Sequence, residues 1–414
     1  MKKDHSSTPL WRTHSCERPE PCVAMSADAA RKSAHATLRL IAALALATFA
    51  ANAQAPRWIG IDTHIDTIQR VFYTHADLGK RLPDGQIDLV RLREGSMNAP
   101  FFALWVPTYY KGAEAVRKTL DLRDAMQSVL DRYPDRIEMA TTATDLERIV
   151  KSGKIAAVLT LEGGHQIADD LAVLRMYQRM GIRAMTLTHF RNNNWADSST
   201  DKPEHNGLTD FGKQVVREMN RIGMMVDISH VSDKTFYDAV AVSTKPVIAS
   251  HSSCRALADI PRNMTDDMLR ALAKNGGVIG INFGAGFLNQ QDAKSLMASI
   301  TGMASQEPNL TGKALDDYAA KDFEKENWSH PRPANATLDD VVAHIDHVVK
   351  IAGIDHVGIG TDFDGIPDVP KGLEDASKMP ALVAALRKHG YSEAEVQKIM
   401  GGNFLRVMRQ VIGK

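Results

Sequence analysis

The chain has 414 residues, of which 44% are hydrophobic and 24% charged, and its 50 Lys and Arg residues balance 50 Asp and Glu residues. This composition is typical of a globular protein and is sufficient for a large hydrophobic core. Because the formal net charge is +0, the sequence lacks the basic field that favours nucleic acid, and we expect no nucleic-acid partner.

Residues 1–53 are predicted to form a leader that is separate from the globule. Arg31, Lys32 and Arg39 precede a short apolar run, Leu40 to Ala51, which ends near an A-x-A cleavage site. The run is too short to span a bilayer and no second run of spanning length follows, so we expect no stable membrane span. The sequence therefore predicts export to the periplasm, with Met25 as the true start. An uncleaved membrane anchor is the alternative.

Residues 54–414 alternate between apolar runs of strand length and helical patterns, which predicts one domain. Because the runs are almost continuously apolar, they indicate a parallel sheet that is buried on both faces. Their number suggests a closed (β/α)8 barrel, a TIM barrel with insertions in the βα-loops. The strands are predicted at Ile59 to Asp66, Pro100 to Pro107, Ile155 to Gly164, Arg183 to His189, Met224 to His230, Pro246 to His251, Gly277 to Phe283 and His356 to Asp362.

Two segments depart from this alternation. Arg191 to Gly207 is long and polar, and it is predicted to be a loop over the barrel mouth. Phe287 to Thr337 is longer than a βα-loop requires, and a helix is predicted around Ala314 to Glu326. This second segment either walls the pocket or forms a subunit contact, and a tolerated surface insertion is the alternative.

Most of the predicted strands end at residues that can bind a metal or carry a proton. The C-terminal ends of barrel strands meet at one mouth, so residues that are distant in sequence are expected to converge there. The candidates are His64, Asp66, Glu162, His189, His230, His251 and Asp362.

The first strand supplies half of a predicted metal site. Asp62, His64 and Asp66 alternate with apolar or small residues at the period of a strand, so they share one face. His64 and Asp66 are close enough in sequence to bind one divalent metal. The alternative is a capped strand end that carries a hydrogen-bonded Asp and His pair.

Glu162 is predicted to join this half-site to a second one. Its two carboxylate oxygens could bridge two cations about 3.5 to 4 Å apart. His230 and His251, at the ends of adjacent strands, are natural nitrogen ligands for the second cation. Mixed histidine and carboxylate ligands suit zinc best.

Eight motifs in order resemble the membrane (renal) dipeptidase family of zinc peptidases, which are amidohydrolase-like barrels. They are D-T-H-I-D, L-E-G-G, L-T-H with the later W-A-D, D-I-S-H, A-S-H-S-S, R-N, T-D-F-D-G and G-G-N-F-L-R-V, and the similarity runs from Trp58 to the end. The resemblance implies two Zn²⁺ per chain, one bound by His64, Asp66 and Glu162 and the other by Glu162, His230 and His251.

The resemblance also implies roles for three further residues. His189 would contact substrate and help to stabilise the oxyanion, Arg262 would hold the free carboxylate of the substrate, and Asp362 would transfer protons. His189 could instead be a third structural ligand, and Arg262 could be a surface ion pair. Asp364 is predicted to support the site or its turn.

The implied activity is hydrolysis of dipeptides by a hydroxide held between the zincs, with tolerance of D- or dehydro-residues at the C-terminal position and a possible homodimer. Two alternatives stay open. One is an amidohydrolase acting on N-acyl amino acids, lactams or lactones, and the other is a non-catalytic periplasmic protein that binds metal or peptide. A nucleophilic role for Cys254 is disfavoured, because no base and orienting partner accompany it in a recognisable pattern.

Overall fold

The structure is a computed structural model that describes residues 58–325 and 334–413. All of these residues belong to one compact unit, Pro56–Lys414. The predicted leader, with Met25 and the cleavage site, lies outside the described residues, so its prediction stays untested.

Eight parallel strands close into a barrel, which confirms the predicted TIM-barrel class. Each strand pairs with its neighbours in the order β2-β1-β9-β8-β7-β6-β5-β4, and a direct pairing of β2 with β4 closes the ring. A ninth strand that the sequence did not predict, β3, pairs with the beginning of β4 outside the ring. The strands are β1 (Ile61–Ile65), β2 (Ala99–Trp105), β3 (Ile137–Met139), β4 (Ile155–Glu162), β5 (Ile182–Thr186), β6 (Met225–Asp227), β7 (Ile248–Ser252), β8 (Val278–Ile281) and β9 (Val357–Ile359).

Helices surround the barrel, and among the described residues none is both long enough and apolar enough to cross a membrane. They are α1 (Thr67–Thr74), α2 (Leu89–Glu94), α3 (Ala113–Arg132), α4 (Ala143–Lys151), α5 (Leu171–Arg179), α6 (Asp210–Ile222), α7 (Asp233–Val242), α8 (Asp266–Asn275), α9 (Ala285–Leu288), α10 (Gln290–Ala304), α11 (Gly312–Lys325), α12 (Leu338–Ala352), α13 (Met379–Lys388), α14 (Glu393–Gln397) and α15 (Asn403–Val411). Short helical turns occur at Gly164–Ile167, Ile354–His356, Ala376–Lys378 and Lys398–Gly402.

Local sequence fixes where the barrel helices begin and end. The side chain of Thr209 accepts a hydrogen bond from Gly212 N at the start of α6, and Thr265 accepts one from Met268 N at the start of α8. Gly223 and Gly276 end the same helices in the left-handed conformation, which glycine adopts without a steric cost. Each of these two helices is followed within three residues by the next strand, β6 or β8, at the bottom of the barrel.

Successive strand residues pack into different hydrophobic clusters. Phe101, Val158 and Met225 belong to a cluster that includes the C-terminal helix α15, whereas their neighbours in sequence belong to the larger cluster shared with the other helices. Both faces of the sheet are therefore buried, which explains why the strands are almost continuously apolar.

Candidate active site

The predicted residues converge at the C-terminal ends of the barrel strands around Glu162. Its Oε1 lies 3.0 Å from His230 Nε2 and 3.3 Å from His251 Nε2, and its Oε2 lies 3.4 Å from His64 Nε2. His64 Nε2 is also 3.3 Å from Asp66 Oδ2. One carboxylate therefore contacts both predicted half-sites, as a bridging ligand must.

Strand ends and tight turns position these side chains. His64 lies in β1, Glu162 is the last residue of β4 and His251 lies in β7. Asp66 is at the N-terminal end of α1, immediately after β1, and its side chain makes no capping hydrogen bond there. His230 has a left-handed backbone with φ of 70°. A non-glycine residue in this region is strained, and such strain occurs mainly where the surrounding structure fixes a functional geometry.

Asp362 approaches the site from the turn that follows β9. It also has a left-handed backbone, with φ of 64°. The next turn brings Gly365 so close that a Cβ there would overlap Asp66 Oδ2 and would lie 2.7 Å from Asp362 Oδ1. The turn therefore requires glycine, because any side chain would displace two of the carboxylates.

Several potential ligand atoms are buried without a hydrogen-bond partner among the described residues. They include His64 Nε2, Asp66 Oδ1 and His230 Nδ1. Unsatisfied buried polar atoms are costly, and a cation between them would satisfy those that face the cavity. His64, Glu162 and His251 offer ligand atoms within 4.8 Å of one another, as do two overlapping sets: Glu162 with His189 and His230, and His64 with Asp66 and Asp362. The residues therefore fit a metal centre.

Burial and charge set the protonation of the cluster. Burial lowers the pKa of His230 and His251 well below the usual value, so both imidazoles are neutral and can bind a cation. Burial acts on His64 in the same direction, but the Glu162 and Asp66 carboxylates outweigh it and raise its pKa. Burial raises the pKa of Asp362 to about 7. The carboxylates of the cluster lie close together, and a bound cation would reduce the repulsion between them.

A hydrogen-bonded chain that sequence reasoning missed orients His251. Its Nδ1 lies 2.8 Å from Ser250 Oγ, and Ser250 Oγ donates to Asp227 Oδ2. Because the Ser250 hydroxyl donates its hydrogen bond to Asp227, its oxygen accepts one from Nδ1–H of His251. The Nε2 lone pair of His251 therefore faces the site. The D-I-S-H and A-S-H motifs contain both residues, but their contact across β6 and β7 required the fold.

A second contact that the sequence did not predict fixes His189. Trp105 Nε1 lies 3.3 Å from His189 Nδ1. The indole nitrogen can only donate, so Nδ1 is the acceptor and the proton of the neutral ring is on Nε2. Burial lowers the pKa of His189 well below the usual value, in agreement with a neutral ring. Its Nε2, 3.8 Å from Glu162 Oε1, is therefore a hydrogen-bond donor into the cavity.

Arg262 is buried, so the alternative of a surface ion pair is wrong. The residue is 3% exposed, and its guanidinium donates to His251 O and Ser252 Oγ. It makes no ion pair with any described residue, and its Nε has no hydrogen-bond partner among them. Burial lowers its pKa to about 10, so it is still charged at neutral pH. A buried cation with a spare donor is suited to an anionic ligand.

The remaining polar residues near the mouth have structural partners or are buried. Asp364 accepts hydrogen bonds from Thr67 Oγ1 and Gln86 N, at 2.8 and 2.7 Å, and so braces the turn that carries Asp362. His205 Nε2 lies 2.9 Å from a backbone carbonyl. Burial raises the pKa of the Cys254 thiol, which keeps it protonated and unreactive.

A closed parallel barrel with a histidine and carboxylate cluster at its C-terminal mouth defines a barrel metallohydrolase. The chain belongs to the membrane dipeptidase family, peptidase family M19, whose model matches residues 50–413. The resemblance based on the sequence motifs, and with it the class of metal-dependent dipeptidase, is confirmed.

Known proteins similar to this chain support the same family. The dipeptidase tcpJ of Claviceps purpurea is 40% identical over 337 residues, which are 79% of this chain and 69% of that protein. Dipeptidase 3 of Rattus norvegicus is 35% identical over 79% of this chain and 59% of its own length. The probable dipeptidase PvdM from Pseudomonas aeruginosa has a similar structure, with a TM-score of 0.72 at 29% identity, covering 86% of this chain and 96% of that one.

Proposed function

We propose that this metal-dependent dipeptidase holds two Zn²⁺ ions, one through His64, Asp66 and Glu162 and one through Glu162, His230 and His251. The observation that carries the proposal is the contact of one carboxylate, Glu162, with His64 through one oxygen and with His230 and His251 through the other. When bound, the metal ions supply a Lewis acid and lower the pKa of a coordinated water.

The protein groups bind the C-terminal carboxylate of a dipeptide and its scissile carbonyl. Arg262 receives the C-terminal carboxylate in a two-point contact. The Nε2 proton of His189 is directed at the carbonyl oxygen, which becomes negative as the tetrahedral intermediate forms. Both contacts are made to the carboxylate and the carbonyl, so neither depends on the configuration of the C-terminal α-carbon. This supports tolerance of D- and dehydro-residues at that position.

Asp362 transfers protons during the reaction, first as general base and then as general acid. It accepts a proton from the attacking water as the new C–O bond forms, and it donates that proton to the amine nitrogen as the C–N bond breaks. Asn282 Nδ2 donates to Asp362 Oδ2 at 2.8 Å and so holds one oxygen away from the reacting groups. Hydrolysis of one dipeptide therefore consumes one water and releases two amino acids.

The decisive experiment combines metal content with turnover. Purified protein is analysed for metal, then treated with a chelator and reloaded with Zn²⁺. We expect two Zn²⁺ per chain, loss of dipeptide hydrolysis on chelation and recovery on reloading. L-Ala-D-Ala and L-Ala-L-Ala are then compared with the corresponding tripeptides. Preferential cleavage of tripeptides would contradict the contact between Arg262 and the C-terminal carboxylate of a dipeptide.

The sequence pattern of residues 1–53 supports a further proposal, that the protein is exported to the periplasm as a soluble enzyme. Fractionation of expressing cells tests it, since activity in the cytoplasm alone would contradict export. The family resemblance likewise supports a homodimer, for which sedimentation of the purified protein is the test.

A further inference from the structure

The cavity above the metal ligands has a more apolar lining than the chemistry alone requires. Its empty volume, including the open mouth, is about 1360 Å³. Three of the proposed ligands, Asp66, Glu162 and His230, form its floor together with His189 and Arg262. Residues between positions 287 and 323 form much of its side. Metal binding and proton transfer do not account for this apolar wall, which instead fits a ligand with apolar groups.

Apolar side chains from the insertion lie directly beside Arg262. The guanidinium carbon of Arg262 is 5.1 Å from the centre of the Phe287 ring. Phe287 packs with Ile260 and Ala293, and Leu296 of α10 packs against this cluster. Leu296 and Phe287 both line the cavity. The guanidinium of Arg262, which would bind the substrate carboxylate, therefore has apolar side chains on one side.

Ile366 extends the same surface from the turn after β9. A Cβ on Gly284 would lie 2.9 Å from Phe287 Cδ2 and 3.2 Å from Ile366 Cγ2, so the two side chains border a common point. Ile366 also lines the cavity. Three apolar side chains from separate elements thus form one continuous patch next to Arg262, which we call the carboxylate-side patch: Phe287, Leu296 and Ile366.

The insertion is attached to the barrel rim at both of its helices. Asp316 on α11 lies 2.8 Å from Lys118 Nζ and 2.9 Å from Arg117 Nη2 on α3, and Lys118 is only 1% exposed. At the end of α10, Arg191 from the loop after β5 donates to Ala304 O and pairs with Glu307. The wall is therefore pre-formed, so a substrate side chain can be bound without the entropic cost of ordering the insertion.

From these contacts we infer that the carboxylate-side patch is the subsite for the C-terminal side chain of the substrate, and that the enzyme favours dipeptides with a large apolar C-terminal residue. The inference rests on the proposed function, in which Arg262 holds the terminal carboxylate. The C-terminal α-carbon is bonded directly to that carboxylate, so its side chain lies within reach of Phe287 and Leu296. Each buried methylene group adds to binding, as does each apolar contact with the ring.

Two substrate series test the inference with the Zn²⁺-loaded enzyme. In the first, Ala-Gly, Ala-Ala, Ala-Leu and Ala-Phe vary the C-terminal side chain, and in the second, Gly-Ala, Leu-Ala and Phe-Ala vary the N-terminal one. We expect kcat/KM for Ala-Leu and Ala-Phe to exceed that for Ala-Gly at least about tenfold, with a smaller spread in the second series. A flat first series, or a larger spread in the second, would overturn the subsite while leaving the dipeptidase intact. Failure to cleave any dipeptide would instead remove the proposed function.

A matched pair of variants on α10 assigns the preference to the patch. Leu296→Ser should reduce the ratio of kcat/KM for Ala-Leu to that for Ala-Gly about fivefold or more. Lys294→Ala, on the same helix but exposed, should leave this ratio unchanged. An unchanged ratio in a folded, metal-loaded Leu296→Ser protein would contradict the assignment. Ile366→Ala provides an independent variant from another element, and the wild-type series decides the question if neither variant folds.

Discussion

The indole Nε1–H of Trp105 donates a hydrogen bond to Nδ1 of His189 at 3.3 Å. The two residues belong to different parts of the barrel rim, since Trp105 ends β2 and His189 follows β5. Trp105 is also in register with Glu162 on the adjacent β4, so the indole lies at the level of the metal ligands. Through this bond a residue that need not touch the substrate decides which nitrogen of His189 can donate a proton to it.

Replacing Trp105 with Phe should lower kcat more than it raises KM. An aromatic side chain is retained, although a smaller one, while the N–H is lost, so His189 can adopt the other tautomer and no longer donates reliably to the developing oxyanion. We expect a loss of about tenfold to a hundredfold in kcat, measured by steady-state hydrolysis of a dipeptide. Trp58→Phe is the control, because Trp58 Nε1 has no hydrogen-bond partner among the described residues. A rise in KM alone would mean that Trp105 only shapes the pocket.

Glu162→Gln should abolish turnover and reduce the metal content. A neutral amide presents one oxygen and one NH₂ group, which only donates hydrogen bonds, so it cannot bridge two cations. We expect kcat to fall by at least about a thousandfold and the metal content to fall below two ions per chain. Glu138→Gln is a suitable control, since Glu138 lies on the neighbouring strand and pairs with Arg148 and Lys154 away from the mouth. Retained metal with unchanged activity would disprove the bridge.

Arg262→Lys should raise KM for dipeptides with a free carboxylate. An ammonium group cannot reproduce the two-point contact of a guanidinium, so we expect a rise of about tenfold to a hundredfold. Dipeptide amides lack the charged partner and should be affected much less. Arg270→Lys, on α8 and paired with Asp267 at the surface, should behave as wild type. An equal loss for acids and amides would argue that Arg262 acts only by holding the backbone around His251.

Asp316→Asn should destabilise the protein at neutral pH but hardly at all in strong acid. Burial opposes ionisation of Asp316, but hydrogen bonds from Arg117 and Lys118 outweigh it and lower its pKa from 3.8 to about 2. The stabilisation is therefore complete above about pH 4 and is lost as the pH falls towards 2. The difference between the two pKa values corresponds to at most roughly 2 kcal/mol, because water screens a partly exposed carboxylate.

Urea unfolding of the metal-free proteins at pH 6 and pH 3 measures this effect. Asp317→Asn is the control, because Asp317 forms an exposed pair with Lys313 within α11 and should contribute little. A destabilisation by Asp316→Asn that is the same at both pH values would show that the charge of Asp316 does not attach the insertion to α3.

The barrel and the convergence of His64, Glu162 and His251 could be predicted because periodicity marks parallel strands and the fold brings their C-terminal ends together. The short strand β3 was missed because Ile137–Met139 carries too few residues for a periodic signal. Trp105 falls within the predicted strand Pro100 to Pro107, and no separate role is predicted for it. Its position at the C-terminal end of a barrel strand, with a donor N–H, is the signal that could have identified it.

Contacts between elements that are distant in sequence could not be predicted. The hydrogen bond from Ser250 to Asp227 depends on the relative register of β6 and β7. The position of the insertion depends on ion pairs between Asp316 and α3, whose partners are ordinary charged residues in the sequence. The helix predicted around Ala314 to Glu326 was correct as α11, but its place against the cavity is a property of the assembled fold.

Three mouth residues, His230, Asp362 and Asp364, have left-handed backbones without being glycine. Such conformations cost of order 1–3 kcal/mol each, and they hold a set of mutually repelling carboxylates. Binding of cations to the folded chain alone would offset this cost by mass action. The lifetime of the protein should therefore follow the supply of divalent metal around it: chains that mature in metal-poor surroundings would unfold and be degraded sooner, so starvation would reduce the amount of enzyme as well as its activity.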